Sequence, residues 1–274
     1  MAVTDAVARA LAEDLLPLGD LTAALIPAGA TGSAVVTARE AGVLAGRACA
    51  VETFAQLDAA VDVLWLIPDG ERIEPGTVLA RIAGPLAPVL TGERTALNFL
   101  RHLSGVASLT RRFVDLAHQA SEGRTRILDT RKTTPGLRAL EKAAVRAGGG
   151  ANHRANLSDA VMVKDNHLAG LSIGEAVVAA RACWPGRPVH VECDTLAQLD
   201  EILATDADRA MLDNFAPAEV GVAVERVDGR MEVEVTGGVT LATVADYAAA
   251  WPDFISVGAL THSAGVVDLG LDLA

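Results

Sequence analysis

Lysine and cysteine are among the scarce residues of this 274-residue chain, with three of each against 20 arginines. The cysteines, Cys49, Cys183 and Cys193, are odd in number and widely spaced, with no Cys-x-x-Cys. That excludes a disulfide framework and a thiolate zinc site, and points to a reducing compartment, the cytoplasm. No apolar run approaches the roughly 18–20 residues of a membrane span, and the N-terminus carries acidic residues in place of a signal peptide. The expectation is a soluble cytoplasmic protein. Also missing are a Gly-x-Gly-x-x-Gly fingerprint, which argues against a dinucleotide fold, and a Gly-x-Ser-x-Gly elbow, which argues against a serine hydrolase. No His/Cys group has zinc-ligand spacing. Basic charge is short as well: 23 Lys and Arg against 35 Asp and Glu give −12, which argues against nucleic acid or an anionic membrane as the main partner.

What is present is concentrated. Lys132, Lys142 and Lys164 all fall within residues 124–167, which hold nine basic and four acidic residues, a net of +5. The remainder of the −12 chain therefore carries −17. A compact ammonium on a flexible stem is not equivalent to the planar guanidinium fork, so the choice of lysine here is informative. Lys142 reads as part of a solvated helix face. Lys132 and Lys164 read as site residues.

Up to about residue 90 the chain mixes short strands (Ala34–Glu40, Val61–Ile67, Thr77–Ile82) with turns and helix. Gly92–Ala120 has helical spacing of Leu97, Leu100, Leu103, Val106, Leu109, Phe113 and Leu116, and predicts a long helix or a helix pair interrupted at Gly105. From residue 125 short β-rich runs alternate with Ala-rich helical stretches: Thr125–Leu128, Ala160–Val163, Val189–Val191, Ala210–Leu212, Glu232–Val235 and Phe254–Val257. Strand–helix alternation predicts a parallel sheet. Nearly every run ends in ionisable residues or glycine, the pattern of a (β/α) barrel whose mouth collects functional groups. Six strands, not eight, predict an incomplete barrel of the α/β class.

Arg131, Lys132, His153, Arg154 and Lys164 gather cationic groups near two strand ends, which calls for a polyanionic ligand. Thr236-Gly237-Gly238 and Gly258 follow late strands, where backbone N–H groups approach a phosphate. Gly148-Gly149-Gly150 reads at least equally as the end of the preceding helix. Glu192 and Asp213 close two strands as lone acids and suit Mg²⁺, directly or through water, and ribose hydroxyls. Cys193 reads as a small packing residue.

At these residues the chain resembles the quinolinate phosphoribosyltransferase family (nicotinate-nucleotide pyrophosphorylase, decarboxylating). The resemblance rests on Asp129–His167 and on "GERTALNFLRHLSG" (92–105), "VHVECDTLAQL" (189–199), "AMLDNF" (210–215), "VEVTGGV" (233–239) and "SVGALTHS" (256–263), together with "EDLLPLGDLT" (13–22). It implies an N-terminal open α/β sandwich over residues 1–106, joined by a C-terminal tail of about 262–274. A phosphoribosyltransferase barrel would occupy 107–261. It also implies a homodimer using Mg²⁺, with quinolinate and 5-phosphoribosyl-1-pyrophosphate as substrates of de novo NAD biosynthesis. By the same resemblance Lys132, Lys164, Glu192 and Asp213 are catalytic, and Glu192 and Asp213 attend the metal. Arg131, His153 and Arg154 hold the quinolinate carboxylates with Lys132 and Lys164 reaching both ligands, Thr130 also binds substrate, and Arg94 comes from the other subunit. Thr236, Gly237, Gly238 and Gly258 take the 5′-phosphate, with His262 nearby.

Three positions depart from the family pattern: Thr236 for serine, Ala143 for an aromatic, and Asn156 for glycine, which the resemblance puts closest to the substrate carboxylates. A paralogous phosphoribosyltransferase for another small anion would lack part of the clamp formed by Arg94, Arg131, His153 and Arg154. A non-catalytic phosphometabolite binder would need no acids beside a reacting sugar carbon.

Overall fold

The computed structural model describes residues 1–168 and 170–274. In chain order its elements are α1 (Ala2–Leu15), β1 (Thr31–Ala38), β2 (Gly42–Val43), α2 (Arg47–Leu57), β3 (Asp62–Trp65), β4 (Arg72–Ile73) and β5 (Val78–Pro85). There follow α3 (Leu86–Ser121), β6 (Arg126–Leu128), α4 (Arg138–Ala147), β7 (Val161–Val163), α5 (Asp165–Leu168), α6 (Ile173–Cys183) and β8 (Val189–Cys193). The chain ends with α7 (Leu196–Leu203), β9 (Arg209–Asp213), α8 (Pro217–Val227), β10 (Glu232–Thr236), α9 (Val244–Ala248), β11 (Phe254–Ser256), α10 (Ala259–His262) and β12 (Leu269–Leu273). Two compact units share them: one holds Met1–Arg111, Thr133–Gly149 and Thr261–Ala274, the other Arg112–Lys132 and Gly150–Leu260.

The first unit is built on an antiparallel sheet of order β12-β1-β5-β3. Along β1 the side chains alternate, with Ala34, Val36 and Ala38 buried and Thr31 and Ser33 exposed, as a strand with one covered face requires. The buried set joins Phe54, Leu79, Ile82, Leu97, Leu100 and the C-terminal Leu269 and Leu271 in one core. Contrary to the expected break at Gly105, α3 is a single 36-residue helix. The glycine serves packing: a Cβ there would overlap the carbonyl oxygen of Gly265. Lys142 is a second correction, being 4% exposed. The solvated stripe of α4 runs instead through Ala139, Ala143 and Arg146, while Leu140, Glu141, Ala144 and Val145 are buried around it. Glu141, fully buried, accepts hydrogen bonds from His102 Nε2 (2.9 Å) and the Thr134 N–H (3.0 Å). The helix stops at Gly148, whose N–H reaches back to the Ala144 carbonyl at 2.9 Å.

The second unit is a six-stranded parallel sheet of order β6-β11-β10-β9-β8-β7. Chain-adjacent strands neighbour one another from β7 to β11, and β6 closes beside β11; β6 and β7 are the two ends, so the barrel is incomplete. The other edge of β6 is met only at Leu128↔Ala151, among the described residues. Strand alternation sorts the residues sharply. Val189, Val191 and Cys193 of β8, Ala210 and Leu212 of β9, and Val233 and Val235 of β10 are all buried apolar. The alternate positions, His190 and Glu192, Arg209, Met211 and Asp213, Glu232, Glu234 and Thr236, line hollows at the two ends of the strands. The lumen is therefore polar and the outer face apolar, the reverse of an apolar-filled barrel. Among the described residues no helix is long and apolar enough to cross a membrane.

Candidate active site

Side chains from all six strands or the residues just after them converge at their C-terminal ends on a pocket of about 340 Å³. Its wall takes Thr130, Arg131 and Lys132 after β6, and His153 and Arg154 from the loop before β7. Met162 and Lys164 come from β7 and its end, Glu192 from β8, Met211 and Asp213 from β9, Glu234, Thr236 and Gly237 from β10 and its turn, and Ser256 from β11. A volume of this size suits a small polar ligand held by convergent groups.

The basic loop is stitched to β6 by Asp129, which is fully buried. Its carboxylate accepts from the His153 backbone N–H at 2.9 Å and from Asn152 Nδ2 at 2.5 Å. Arg154 donates from Nη1 to the Ala160 carbonyl (3.1 Å) and from Nη2 to the Met162 sulfur (3.3 Å). Burial, and then the neighbouring charge of Arg131, push its guanidinium pKa below the usual value. Two guanidiniums that raise each other's energy are stabilised by an anion between them. The Arg154 backbone N–H donates to His153 Nδ1 at 2.7 Å, which places the ring proton on Nε2, 3.3 Å from Glu234 Oε2.

Opposite this loop, Lys164 Nζ lies 2.5 Å from Glu192 Oε2. Asp213 accepts from Asn214 Nδ2 at 2.9 Å, and pairs in register with Thr236 on the neighbouring strand. The turn that follows needs glycine at 237, where φ is +88°. A Cβ there would also overlap Asn214 Oδ1 and stand 2.8 Å from Asp213 Oδ1. Glu192 and Asp213 end adjacent strands, but among the described residues no group of three or more acids, histidines or cysteines is arranged to hold a metal. A pair of carboxylates of this kind fits Mg²⁺ that keeps water and substrate phosphate oxygens, and does not fit a cation caged by protein alone.

Of the expected residues, Thr130, Arg131, Lys132, His153, Arg154, Lys164, Glu192, Asp213, Thr236 and Gly237 line this one pocket, and Gly238 and Gly258 do not. Arg94 and His262 belong to the first unit. The Arg94 side chain is 60% exposed and edges a surface hollow with Asp14, Asp20 and Leu21. His262 Nδ1 lies 2.6 Å from Ser263 Oγ. Asn156 is exposed and off the pocket wall; its Oδ1 accepts from the Ser158 N–H at 2.7 Å within a local turn. Cys193 is buried outside the lumen, and burial raises its thiol pKa to about 12, which suits packing and no redox role.

The wall residues that sequence reasoning missed are Met162, Met211, Glu234 and Ser256. A period-two reading would have found Glu234, since in Val-Glu-Val-Thr it shares the face of Thr236. Glu234 is fully buried, and Arg209 Nη1 donates to it at 2.7 Å. Burial would raise its carboxyl pKa, but His153 and Arg209 outweigh that and hold it below the usual range. With Glu234 so engaged, four cations (Arg131, Lys132, Arg154, Lys164) face the pocket against two remaining carboxylates.

The whole chain has matches among known proteins. The models of the quinolinate phosphoribosyl transferase C-terminal and N-terminal domains match residues 106–272 and 20–104. A nicotinate-nucleotide pyrophosphorylase (carboxylating) of Mycobacterium leprae is 42% identical over 99% of this chain and 97% of that protein. A mitochondrial quinolinate phosphoribosyltransferase (decarboxylating) of Nicotiana tabacum is 38% identical over 96% of this chain and 80% of its own length. The structure of the nicotinate-nucleotide pyrophosphorylase from Francisella tularensis superposes with a TM-score of 0.95 at 38% identity, covering all of this chain and 96% of that one. With both domain models matched in order and relatives aligned over nearly all of this chain, the chain belongs to the quinolinate phosphoribosyltransferase family.

Proposed function

We propose that the strand-end pocket binds quinolinate beside 5-phosphoribosyl-1-pyrophosphate and joins them with decarboxylation. The products are nicotinate mononucleotide, pyrophosphate and CO₂, and the activity is that of a nicotinate-nucleotide pyrophosphorylase of NAD biosynthesis. The observation that carries this reading is the wall of one small pocket that sets four cations, Arg131, Lys132, Arg154 and Lys164, against the carboxylates of Glu192 and Asp213, in a chain of this family. A pyridine dicarboxylate and a phosphorylated pyrophosphate are the anions such a wall neutralises.

In this reading Arg131, His153 and Arg154 form the carboxylate subsite, with Thr130 beside them. They turn the pyridine nitrogen toward the anomeric carbon, so that positioning lowers the barrier. The nitrogen–carbon bond forms as the bond from that carbon to pyrophosphate breaks. Glu192 and Asp213 stabilise the positive charge that develops on the sugar. Lys132 and Lys164 offset the negative charge of the departing group, and the turn of Thr236 and Gly237 on the pocket wall takes the 5′-phosphate, with Gly238 and Gly258 beyond it. Once alkylated, the cationic ring nitrogen stabilises the electron pair left on C2 when the C2–carboxylate bond breaks; CO₂ departs and a proton takes its place. Glu192 and Asp213 would also hold Mg²⁺, directly or through water. When bound, Mg²⁺ neutralises charge on the pyrophosphate.

Incubation of the purified protein with Mg²⁺, 5-phosphoribosyl-1-pyrophosphate and quinolinate is expected to yield nicotinate mononucleotide and CO₂. Nucleotide from nicotinate with none from quinolinate would overturn this reading. The three unbridged cysteines support a reducing, cytoplasmic setting.

The working unit is a homodimer in which Arg94 is contributed to the partner's pocket. Leu16, Leu18, Leu21 and Leu25 are 67–82% exposed in the segment that leads from Asp14 past the Arg94 hollow, an apolar stretch that a second copy would cover. Complementation tests it. Arg94→Ala and Lys164→Ala homodimers should each be weak, whereas a refolded equimolar mixture should recover about a quarter of the wild-type sites, one per mixed dimer. A mixture no more active than its components would rule out the shared site.

A further inference from the structure

We propose that Glu234 is a positioning residue of the carboxylate subsite: its buried carboxylate holds the His153 imidazole as the Nε2–H tautomer, so that the ring anchors the Arg154 backbone. The inference deepens the reading above, and rests on it for the identity of the substrate. The loop that carries Arg154 is tied to Asp129, whose carboxylate accepts from the His153 backbone N–H at 2.9 Å, and Glu234 Oε2 faces His153 Nε2 at 3.3 Å, an ion-pair distance without hydrogen-bond geometry. The second ring nitrogen is also used, since Nδ1 accepts from the Arg154 N–H at 2.7 Å. Both nitrogens thus face protein groups, which fixes the ring and the loop that carries Arg154.

Glu234 is itself held from below. Arg209 donates to it from Nη1 at 2.7 Å, while its Nε and Nη2 reach Glu232 at 2.9 and 2.6 Å. The guanidinium is stacked 4.1 Å from the Phe254 ring centroid. His190 meets His153 edge-on at 5.5 Å between centroids. A fully buried carboxylate with one oxygen, Oε1, lacking a hydrogen bond is costly where strand partners are free to be apolar. Its presence on the pocket floor, facing the one imidazole of the binding loop, is accounted for by orientation of that loop.

Two measurements decide it. Long-range ¹H–¹⁵N correlation on ¹⁵N-histidine-labelled wild-type protein at pH 8, with His153 assigned by its loss in His153→Asn, should show the Nε2–H tautomer. The Nδ1–H tautomer or an imidazolium would overturn the proposal, and this arm needs no turnover, so it stands or falls apart from the substrate assignment. In Glu234→Gln the amide NH₂ faces either Arg209 or the ring N–H, two donors. The His153 signal should become a tautomer mixture and the KM for quinolinate should rise about tenfold. The KM for 5-phosphoribosyl-1-pyrophosphate should stay within about twofold and kcat within a few-fold. An unmoved quinolinate KM, or both KM values rising together with a fall in Tm, would mean a packing role only. Should that variant not fold, the wild-type tautomer alone decides.

Discussion

Lys164→Ala is expected to lower kcat/KM for quinolinate phosphoribosylation by about 10²-fold or more, the scale on which a lost charge-stabilising donor costs an active site. Lys164 does two things at once. Its ammonium is a cation on the pocket wall, and at 2.5 Å it is the partner of Glu192. Truncation removes the first and leaves the second as an unopposed carboxylate beside a polyanionic substrate, so ground-state binding and turnover both suffer. Lys164→Arg should restore little, because the planar fork cannot occupy the place of a compact ammonium 2.5 Å from one carboxylate oxygen. Lys132→Ala should fall in the same range. Lys142→Ala supplies the contrast: that side chain is buried in the first unit and is not a lining residue of this wall, and its loss should appear as lowered Tm with kcat/KM largely kept. Wild-type kcat/KM in Lys164→Ala and Lys132→Ala would remove both residues from the mechanism.

The three lysines also show how far the sequence could be read. Scarcity and strand-end position marked Lys132 and Lys164, and both line the pocket. Lys142 was legible only as a helical residue, because which stripe of α4 meets solvent depends on what covers the helix, and its exposed stripe of Ala139, Ala143 and Arg146 is too weakly polar to declare itself. The six strands were legible from their β-branched runs, and so was the incomplete barrel. Asn156 stood in the right stretch yet faces a turn, since proximity in sequence does not fix side-chain direction. Glu234 was missed for the converse reason: an acid in mid-strand looks like an exposed face until strand alternation puts it in the lumen with Thr236.

Gly105→Ala is expected to destabilise the protein, although alanine in a helix interior ordinarily gains up to about 1 kcal/mol over glycine. Position 105 lies inside α3, where the sequence reads as a break and the helix continues unbroken. The added methyl would overlap the Gly265 carbonyl oxygen, and would stand 2.9 Å from the Gly265 carbonyl carbon and 3.2 Å from Val266 Cα. These are backbone atoms, so no rotamer change relieves the contact. One turn earlier on the same helix, the Arg101 carbonyl accepts a hydrogen bond from the Val267 N–H at 3.1 Å. Moving the 265–267 segment away strains that bond and uncovers Val267, which is 4% exposed, at the entry to β12. Overpacking of this kind costs about 1–3 kcal/mol, enough to reverse the helix-propensity gain. The control is Gly174→Ala in α6, where nothing lies within 4 Å of the new Cβ and the ordinary stabilisation should appear. Urea midpoints and Tm of the two variants should therefore move in opposite directions from wild type. If Gly105→Ala proves as stable as Gly174→Ala, the close approach of α3 to the C-terminal segment is wrong.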